Sequence, residues 1–320
     1  MPTLGVVFPG QGSQAAGMGV DVASNFPAAQ DCFARASRVL GYDVLALCAS
    51  GSEEALRETR VSQPAIFTVN VAIYRAVESL GLEPVVSAGH SFGEYCSLTI
   101  AGSVGFDDAL ELVNERGIAM GDAADAAPGA MAAIIGFDVD AVEEICEQAR
   151  ARTGLRVDLA NLNAPVQIVI SGDAAAVSVA GELAKAQGAK RVVMLNVSGA
   201  WHSALMAPAV DRFEKAVAAA RLSAPSFAVI SNVEVVEYSS VEQIRRCLIA
   251  SLVSRVRWHE TAQRLARHKP DFVVECGASP VLAPMMRRLP DAAADRCVSV
   301  SDCAGVDKLE RLAAAGEPSA

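Results

Sequence analysis

Gly89-His90-Ser91-Phe92-Gly93 is the sharpest chemical signal in the chain, a serine with glycines two positions to either side. A short apolar run over residues 85–88 precedes it, and a helical stretch over 94–101 follows without a spacer. A serine at the tip of such a strand-to-helix turn sits in strained backbone, with its hydroxyl exposed for nucleophilic attack. The glycines are needed because a Cβ at either place would collide with the crowded turn. The Phe92 N–H, at the positive end of the following helix, points at the reacting carbonyl. G-x-S-x-G is frequent by chance, and an ordinary glycine-rich turn would also carry it. The strand directly before and the helix directly after make the catalytic reading the stronger one.

A serine hydroxyl needs a base, and the chain has four histidines. His90 adjoins the nucleophile, where neighbouring side chains diverge, so its expected role is support of the turn. His259 lies on a helix but off the apolar stripe of Trp258, Ala262 and Leu265, and His268 ends that helix; both are expected to face solvent. His202 follows the strand expected over 191–197 and the turn Ser198-Gly199-Ala200-Trp201, in the kind of strand-end loop where α/β sites are assembled. Elimination leaves His202 as the base.

Arg116 shares a helix face with Ala109, Leu112, Val113 and Met120. A guanidinium aimed inward must meet an anion or a set of carbonyls. Two readings stay open on pattern alone: an internal salt bridge, to Glu94 or Asp158, or a clamp for a substrate carboxylate. The early loop Pro9-Gly10-Gln11-Gly12-Ser13-Gln14 has neither a Gly-Lys-Ser/Thr ending nor the G-x-G-x-x-G spacing of a nucleotide site. After a buried strand over residues 4–8, it can present a backbone N–H as the second oxyanion donor.

These residues need a scaffold, and 320 residues with 52% hydrophobic and 20% charged content suffice for a large domain carrying a smaller one. The expected elements alternate as in an α/β protein, including a helix starting after Ser62, with Pro64 in its first turn, and running to Gly81. Residues 130–197 form a unit of their own: strands over 131–136, 157–162, 167–171 and 191–197, with helices over 139–150 and 174–187. The order βαββαβ is that of a ferredoxin-like subdomain. The larger pattern occupies 1–129 plus 198–320, resumes with a helix after His202 and strands near 227–233 and 272–276, and ends in a frayed tail over 313–320. A net charge of −10 argues against a nucleic-acid partner. Eight cysteines without CxxC pairs or metal-like spacing to histidine read as reduced core thiols, with no metal. No apolar run reaches membrane-spanning length and no signal peptide is visible, so the expected location is cytoplasmic.

The combination resembles the malonyl-CoA:acyl carrier protein transacylases, of fatty-acid type or serving a polyketide synthase as a discrete acyltransferase. The resemblance runs through Phe8-Pro9-Gly10-Gln11-Gly12-Ser13-Gln14, Gly89-His90-Ser91-Phe92-Gly93-Glu94-Tyr95 and Arg116-Gly117-x-Ala119-Met120. It continues in Ala160-Asn161-Leu162-Asn163-Ala164-Pro165, Gly199-Ala200-Trp201-His202-Ser203 and Val256-Arg257-Trp258. It implies a hydrolase-like α/β domain with an inserted ferredoxin-like subdomain, and ping-pong transfer of malonyl from malonyl-CoA to the phosphopantetheine thiol of an acyl carrier protein, without a cofactor. By the same resemblance Ser91 is the nucleophile, His202 its base and Arg116 the ligand of the malonyl carboxylate. The N–H groups of Gln11 and Phe92 form the oxyanion hole, and the carbonyl of Ser251 orients the histidine. Asn161, Asn163 and Met120 are further candidate substrate contacts. The sequence departs from the family pattern at Ser251 (usually glutamine), Arg255 (proline), Trp201 (phenylalanine) and Phe92 (leucine). Lys185, Lys190, Arg191, Arg287 and Arg288 are candidates for a patch that an acidic carrier would touch. A serine thioesterase or hydrolase is the competing enzyme class; it predicts an HGGG-type loop and an acid between serine and histidine, and neither is evident.

Overall fold

The computed structural model describes residues 2–289 and 296–316. Five parallel strands form the larger sheet: β1 (Thr3–Phe8), β2 (Glu83–Gly89), β7 (Ala228–Ile230), β8 (Phe272–Cys276) and β9 (Cys297–Val300), in the order β7-β2-β1-β8-β9. Parallel strands need long crossovers, and helices supply them on both faces. The second sheet is antiparallel, with β3 (Gly129–Ile135), β4 (Val157–Ala164), β5 (Gln167–Asp173) and β6 (Arg191–Met194) in the order β4-β5-β3-β6. With helices Val139–Thr153 and Ala174–Ala186, it has the strand order and connectivity of a ferredoxin-like fold.

Period-two alternation lets β3 serve two cores. Ala132 and Ile134 pack with Val142, Ile145 and Val177 under the subdomain's own helices, whereas Met131 and Ala133 join the core of the larger body. The subdomain thus adheres through an apolar face, and its β4 is further tied by paired backbone bonds: the Leu162 N–H donates to the Val256 carbonyl, and the Val256 N–H to that of Ala160, both at 2.8 Å.

Two parallel strands that end at the same level place their following loops side by side. Phe8 of β1 pairs with Gly89 of β2, and the His90 N–H donates to the Phe8 carbonyl at 2.9 Å. The Pro9–Gln14 loop and the Ser91 turn are therefore neighbours. On the other side of β2, Ala88 pairs with Ile230 of β7, which brings the loop after β7 to the same turn.

Several elements differ from expectation. The helix expected after Ser62 begins at Thr59 and ends at Glu78, so Pro64 lies in its second turn. Glu58 caps it, its carboxylate accepting the Arg60 N–H at 3.3 Å. Sixteen of its twenty residues are buried, and that packing outweighs the hydrogen bond Pro64 cannot donate. The final subdomain strand stops at Met194, and the segment after it turns away toward His202. The helix after His202 opens with a 3₁₀ turn, Ala204–Met206, before Ala207–Ala219. The strand near 227–233 is only Ala228–Ile230. Helix Cys303–Ala315 runs into the expected tail, and residues 317–320 lie outside the described ones.

The glycines of the turn are sterically required. A Cβ on Gly89 would fall 1.8 Å from the Gly93 carbonyl carbon, and one on Gly93 would fall 2.3 Å from the Phe8 oxygen. Both obstacles are backbone and cannot rotate away. Gly93→Ala is expected to lower unfolding free energy by about 1–3 kcal/mol, the usual cost of overpacking, in a urea titration. An unchanged midpoint would show that the turn has slack.

Candidate active site

Ser91 adopts the left-handed backbone region, φ 55°, and so does His202, φ 60°. Non-glycine residues there cost about 1–3 kcal/mol each, which the surrounding structure must offset. The two lie 111 residues apart in the chain, yet Ser91 Oγ is 2.8 Å from His202 Nε2. His202 Nδ1 faces two main-chain carbonyls, Ser251 at 2.9 Å and Ser254 at 3.2 Å. Carbonyl oxygens only accept, so Nδ1 carries the proton and Nε2 keeps its lone pair for the Ser91 hydroxyl. The Ser251 carbonyl belongs to the C-cap of helix Val241–Ala250, where unsatisfied carbonyls are available, and that of Ser254 to the turn just beyond it.

Arg116 is 1% exposed on helix Phe106–Ala126. Neither salt bridge anticipated for it forms. Asp158 pairs with Arg150 at 3.5 Å, and Glu94 accepts the hydroxyl of Tyr238. Instead Arg116 Nη1 donates to Gln63 Oε1 at 2.7 Å and Nη2 to Ser91 Oγ at 3.2 Å, while Nε has no partner. A buried guanidinium pinned by a neutral amide, with Nη2 and Nε available along one edge, is prepared for an anion that binds beside Ser91. Gln63 Nε2 in turn donates to Thr59 Oγ1 at 3.1 Å, whose hydroxyl reaches Gln11 Oε1 at 3.2 Å. This chain links the cation to the Pro9–Gln14 loop.

Burial and the Arg116 charge push His202 down to about 3. The imidazole is therefore neutral throughout the physiological range, and its proton affinity is weak while Arg116 stands uncompensated. Burial likewise pulls His90 down; its Nε2 donates to Asn163 Oδ1 at 2.9 Å, and its ring lies 5.7 Å from that of Trp258. His90 thus ties the serine turn to β4 of the subdomain, and Asn163 is spent on that tie. Asn161 and Met120, by contrast, line the cleft together with Gln11, Ser91, Phe92, Arg116 and His202. Met131, Leu195, Val197 and Trp201 complete its walls, so the subdomain supplies one side and the larger body the other. The enclosed space is narrow, about 90 Å³. Among the described residues neither Gln11 nor Phe92 commits its N–H to a protein acceptor, which leaves both free for an oxyanion.

Of the two histidines expected to face solvent, His268 does so and His259 does not. His259 is half-buried, with Nδ1 3.4 Å from the Leu162 carbonyl, and His268 pairs with Glu237 at 2.8 Å. Gln63, Ser254 and Asn232 were not anticipated. Gln63 did leave a trace: with Asn70 seven residues later, it is an amide on a helix whose middle is mostly apolar. No group of His, Cys, Asp or Glu able to hold a metal ion occurs among the described residues, and no described helix is long and apolar enough to cross a membrane.

Residues 6–311 match the family model described as the acyl transferase domain. The chain belongs to this acyltransferase family. It is 40% identical to the malonyl CoA-acyl carrier protein transacylase of Escherichia coli K12 over 292 residues, 91% of this chain and 94% of that protein. The namesake from Bacillus subtilis is 38% identical over 90% of this chain and 91% of its own length. Among solved structures, the malonyl CoA-acyl carrier protein transacylase of Coxiella burnetii aligns with a TM-score of 0.91 at 39% identity, covering 97% of this chain and 98% of that one. A malonyl-transacylase in complex with its type II PKS acyl-carrier protein aligns at 0.90 and 38% identity, over 97% of this chain and 99% of that one. These neighbours share the two-sheet α/β architecture, a hydrolase-like domain with a small antiparallel subdomain.

The low proton affinity of His202 has a kinetic signature. An imidazole of ordinary pKa would be about nine-tenths protonated at pH 5.5 and would cost about tenfold in rate. Phosphonylation of Ser91 by a small fluorophosphonate should instead stay within about threefold between pH 7.5 and 5.5. A tenfold fall would show that the imidazole is solvated.

Proposed function

We propose that this chain carries malonyl from malonyl-CoA to the phosphopantetheine thiol of an acyl carrier protein, as an [acyl-carrier-protein] S-malonyltransferase. The observation that carries this reading is the buried Arg116, whose Nη2 lies 3.2 Å from a serine hydroxyl already paired with histidine. A hydrolase acting on neutral esters has no use for a desolvated cation at its nucleophile. An acyl group ending in a carboxylate does. The names of the relatives point the same way.

In the first half-reaction the Ser91 proton passes to His202 Nε2 as Oγ attacks the thioester carbonyl. The oxyanion forms against the N–H groups of Gln11 and Phe92; a donor of this kind is worth about 10²–10³ in rate. The C–S bond breaks, the CoA sulfur takes the proton from His202, and malonyl remains esterified to Ser91. In the second half, the carrier's thiol gives its proton to His202 and attacks the ester, and Ser91 Oγ recovers a proton as it leaves. The thioester arrives activated, so proton transfer and charge stabilisation suffice, and no cofactor is invoked.

The carboxylate also acts on the base. The Arg116 charge is the second cause, after burial, of the weak basicity of His202. A malonyl carboxylate on Arg116 cancels that charge, so the histidine gains proton affinity when the correct acyl group is in place. Acetyl cannot do this. Asn161 and Met120, on the cleft wall, are the remaining candidate contacts for the acyl group and its thioester arm. Lys185, Lys190, Arg191, Arg287 and Arg288 are exposed and suit an acidic carrier. A cytoplasmic setting fits Cys32, Cys48, Cys96, Cys146, Cys247, Cys276 and Cys303, which form no disulfide.

Intact mass after exposure to malonyl-CoA should show one malonyl adduct, lost in Ser91→Ala. A persistent adduct in that variant would displace Ser91 as the nucleophile. Arg116→Ala should slow malonyl loading by roughly tenfold to a hundredfold, from about 1.5–3 kcal/mol for a charged hydrogen-bond pair. Loading of acetyl from acetyl-CoA should not fall in parallel; equal losses would place the carboxylate elsewhere.

A further inference from the structure

One buried amide crosses the nucleophile turn from outside it. Asn232, 1% exposed, follows β7, the strand beside β2 on the side opposite β1. Its Oδ1 accepts the Ser91 N–H at 2.8 Å, and its Nδ2 donates to the Gly89 carbonyl at 2.5 Å. A single side chain therefore bridges the two backbone groups on either side of His90 and ends on the N–H of the strained residue itself. The left-handed conformation of Ser91 turns its N–H out of the following helix, where a buried donor without an acceptor would cost about 1–3 kcal/mol. The grip is itself anchored. The Asn232 backbone N–H faces the Glu94 carboxylate, which also receives the Tyr238 hydroxyl, and the Asn232 carbonyl accepts the Arg257 N–H at 3.3 Å.

We propose that Asn232 is a positioning residue for acyl transfer: it holds the Ser91 backbone so that Oγ stays between His202 and Arg116, and it reserves the oxyanion for Gln11 and Phe92 by engaging the Ser91 N–H. The second part follows from donor count. A nucleophile's own N–H is a common oxyanion donor, but here it points into Asn232 and away from the cleft. The inference rests on the transacylase reading and adds to it the residue that sets the nucleophile's geometry.

The test is the rate of Ser91 malonylation, followed by quenched-flow intact mass on the full chain, with thermal unfolding as a control. Asn232→Ala should lower the acylation rate constant by about a hundredfold, the scale of a misplaced reacting atom, with the malonyl-CoA concentration at half-maximal rate changed less than about threefold. Arg116 and the cleft walls are untouched by that change. Asn232→Asp keeps an oxygen for the Ser91 N–H but turns a carboxylate toward the Gly89 carbonyl, and only its protonated form can donate there. Its rate relative to wild type should therefore climb as pH falls from about 8 to 5, a signature that loss of packing would not give. The near-isosteric aspartate decides the matter alone if the alanine variant does not fold. An alanine variant acylated within about threefold of wild type, or an aspartate variant with the wild-type pH profile, would overturn the role of Asn232. A wild-type chain that takes no malonyl at all would remove the transacylase reading and this inference together.

Discussion

The site turns on one oxygen shared by two partners with opposed effects. Ser91 Oγ gives its hydrogen to His202 Nε2 and accepts one from Arg116 Nη2. A cation beside a hydroxyl stabilises the alkoxide that attack requires, yet the same cation lowers the proton affinity of the base that must make it. In the free protein the second effect adds to burial, which itself weakens His202. In the proposed reaction a substrate carboxylate resolves the conflict: it takes up the guanidinium edge, relieves the histidine and leaves the acyl carbonyl facing the serine. That proposal ties selectivity for a charged acyl group to activation of the nucleophile as well as to binding.

Holding that oxygen requires residues from several distant segments, and the sheet order explains how the strand-end ones meet. The strands flanking β2, β1 and β7, each end in a loop beside the serine turn; one contributes Gln11 and the other Asn232. His202 arrives after the last subdomain strand, and its two carbonyl partners come from a helix end and the turn beyond it, about fifty residues later. The subdomain is more than a lid resting on top. The His90–Asn163 bond and the Val256–Leu162 pairing fix β4 against the serine turn, so the cleft wall and the nucleophile share one frame.

Signals that depend on a single segment were legible in the amino-acid sequence. The G-x-S-x-G turn between strand and helix, the inward face carrying Arg116 and the βαββαβ order each write a periodicity or a steric requirement into adjacent residues. His202 was reachable by elimination only because histidine is scarce in this chain. What stayed hidden involves long-range partners. Nothing near Pro64 shows that the helix will be wrapped on most sides and so begin at Thr59. Nothing in Ile230-Ser231-Asn232 shows which backbone its amide will bind. Arg116 was the intermediate case: its inward face could be read, but an internal salt bridge and a substrate clamp both stayed open until the fold gave Asp158 to Arg150 and Glu94 to Tyr238.

The choice of carbonyls in place of a carboxylate behind His202 bears on transfer versus hydrolysis. A charged orienting group would raise the proton affinity of the imidazole; two neutral carbonyls orient it and contribute less. A thiol, with a pKa near 8.5, yields its proton to any base far more readily than water, at about 15.7. In the proposed reaction, a thiol that can enter the narrow cleft is therefore the better-matched acceptor.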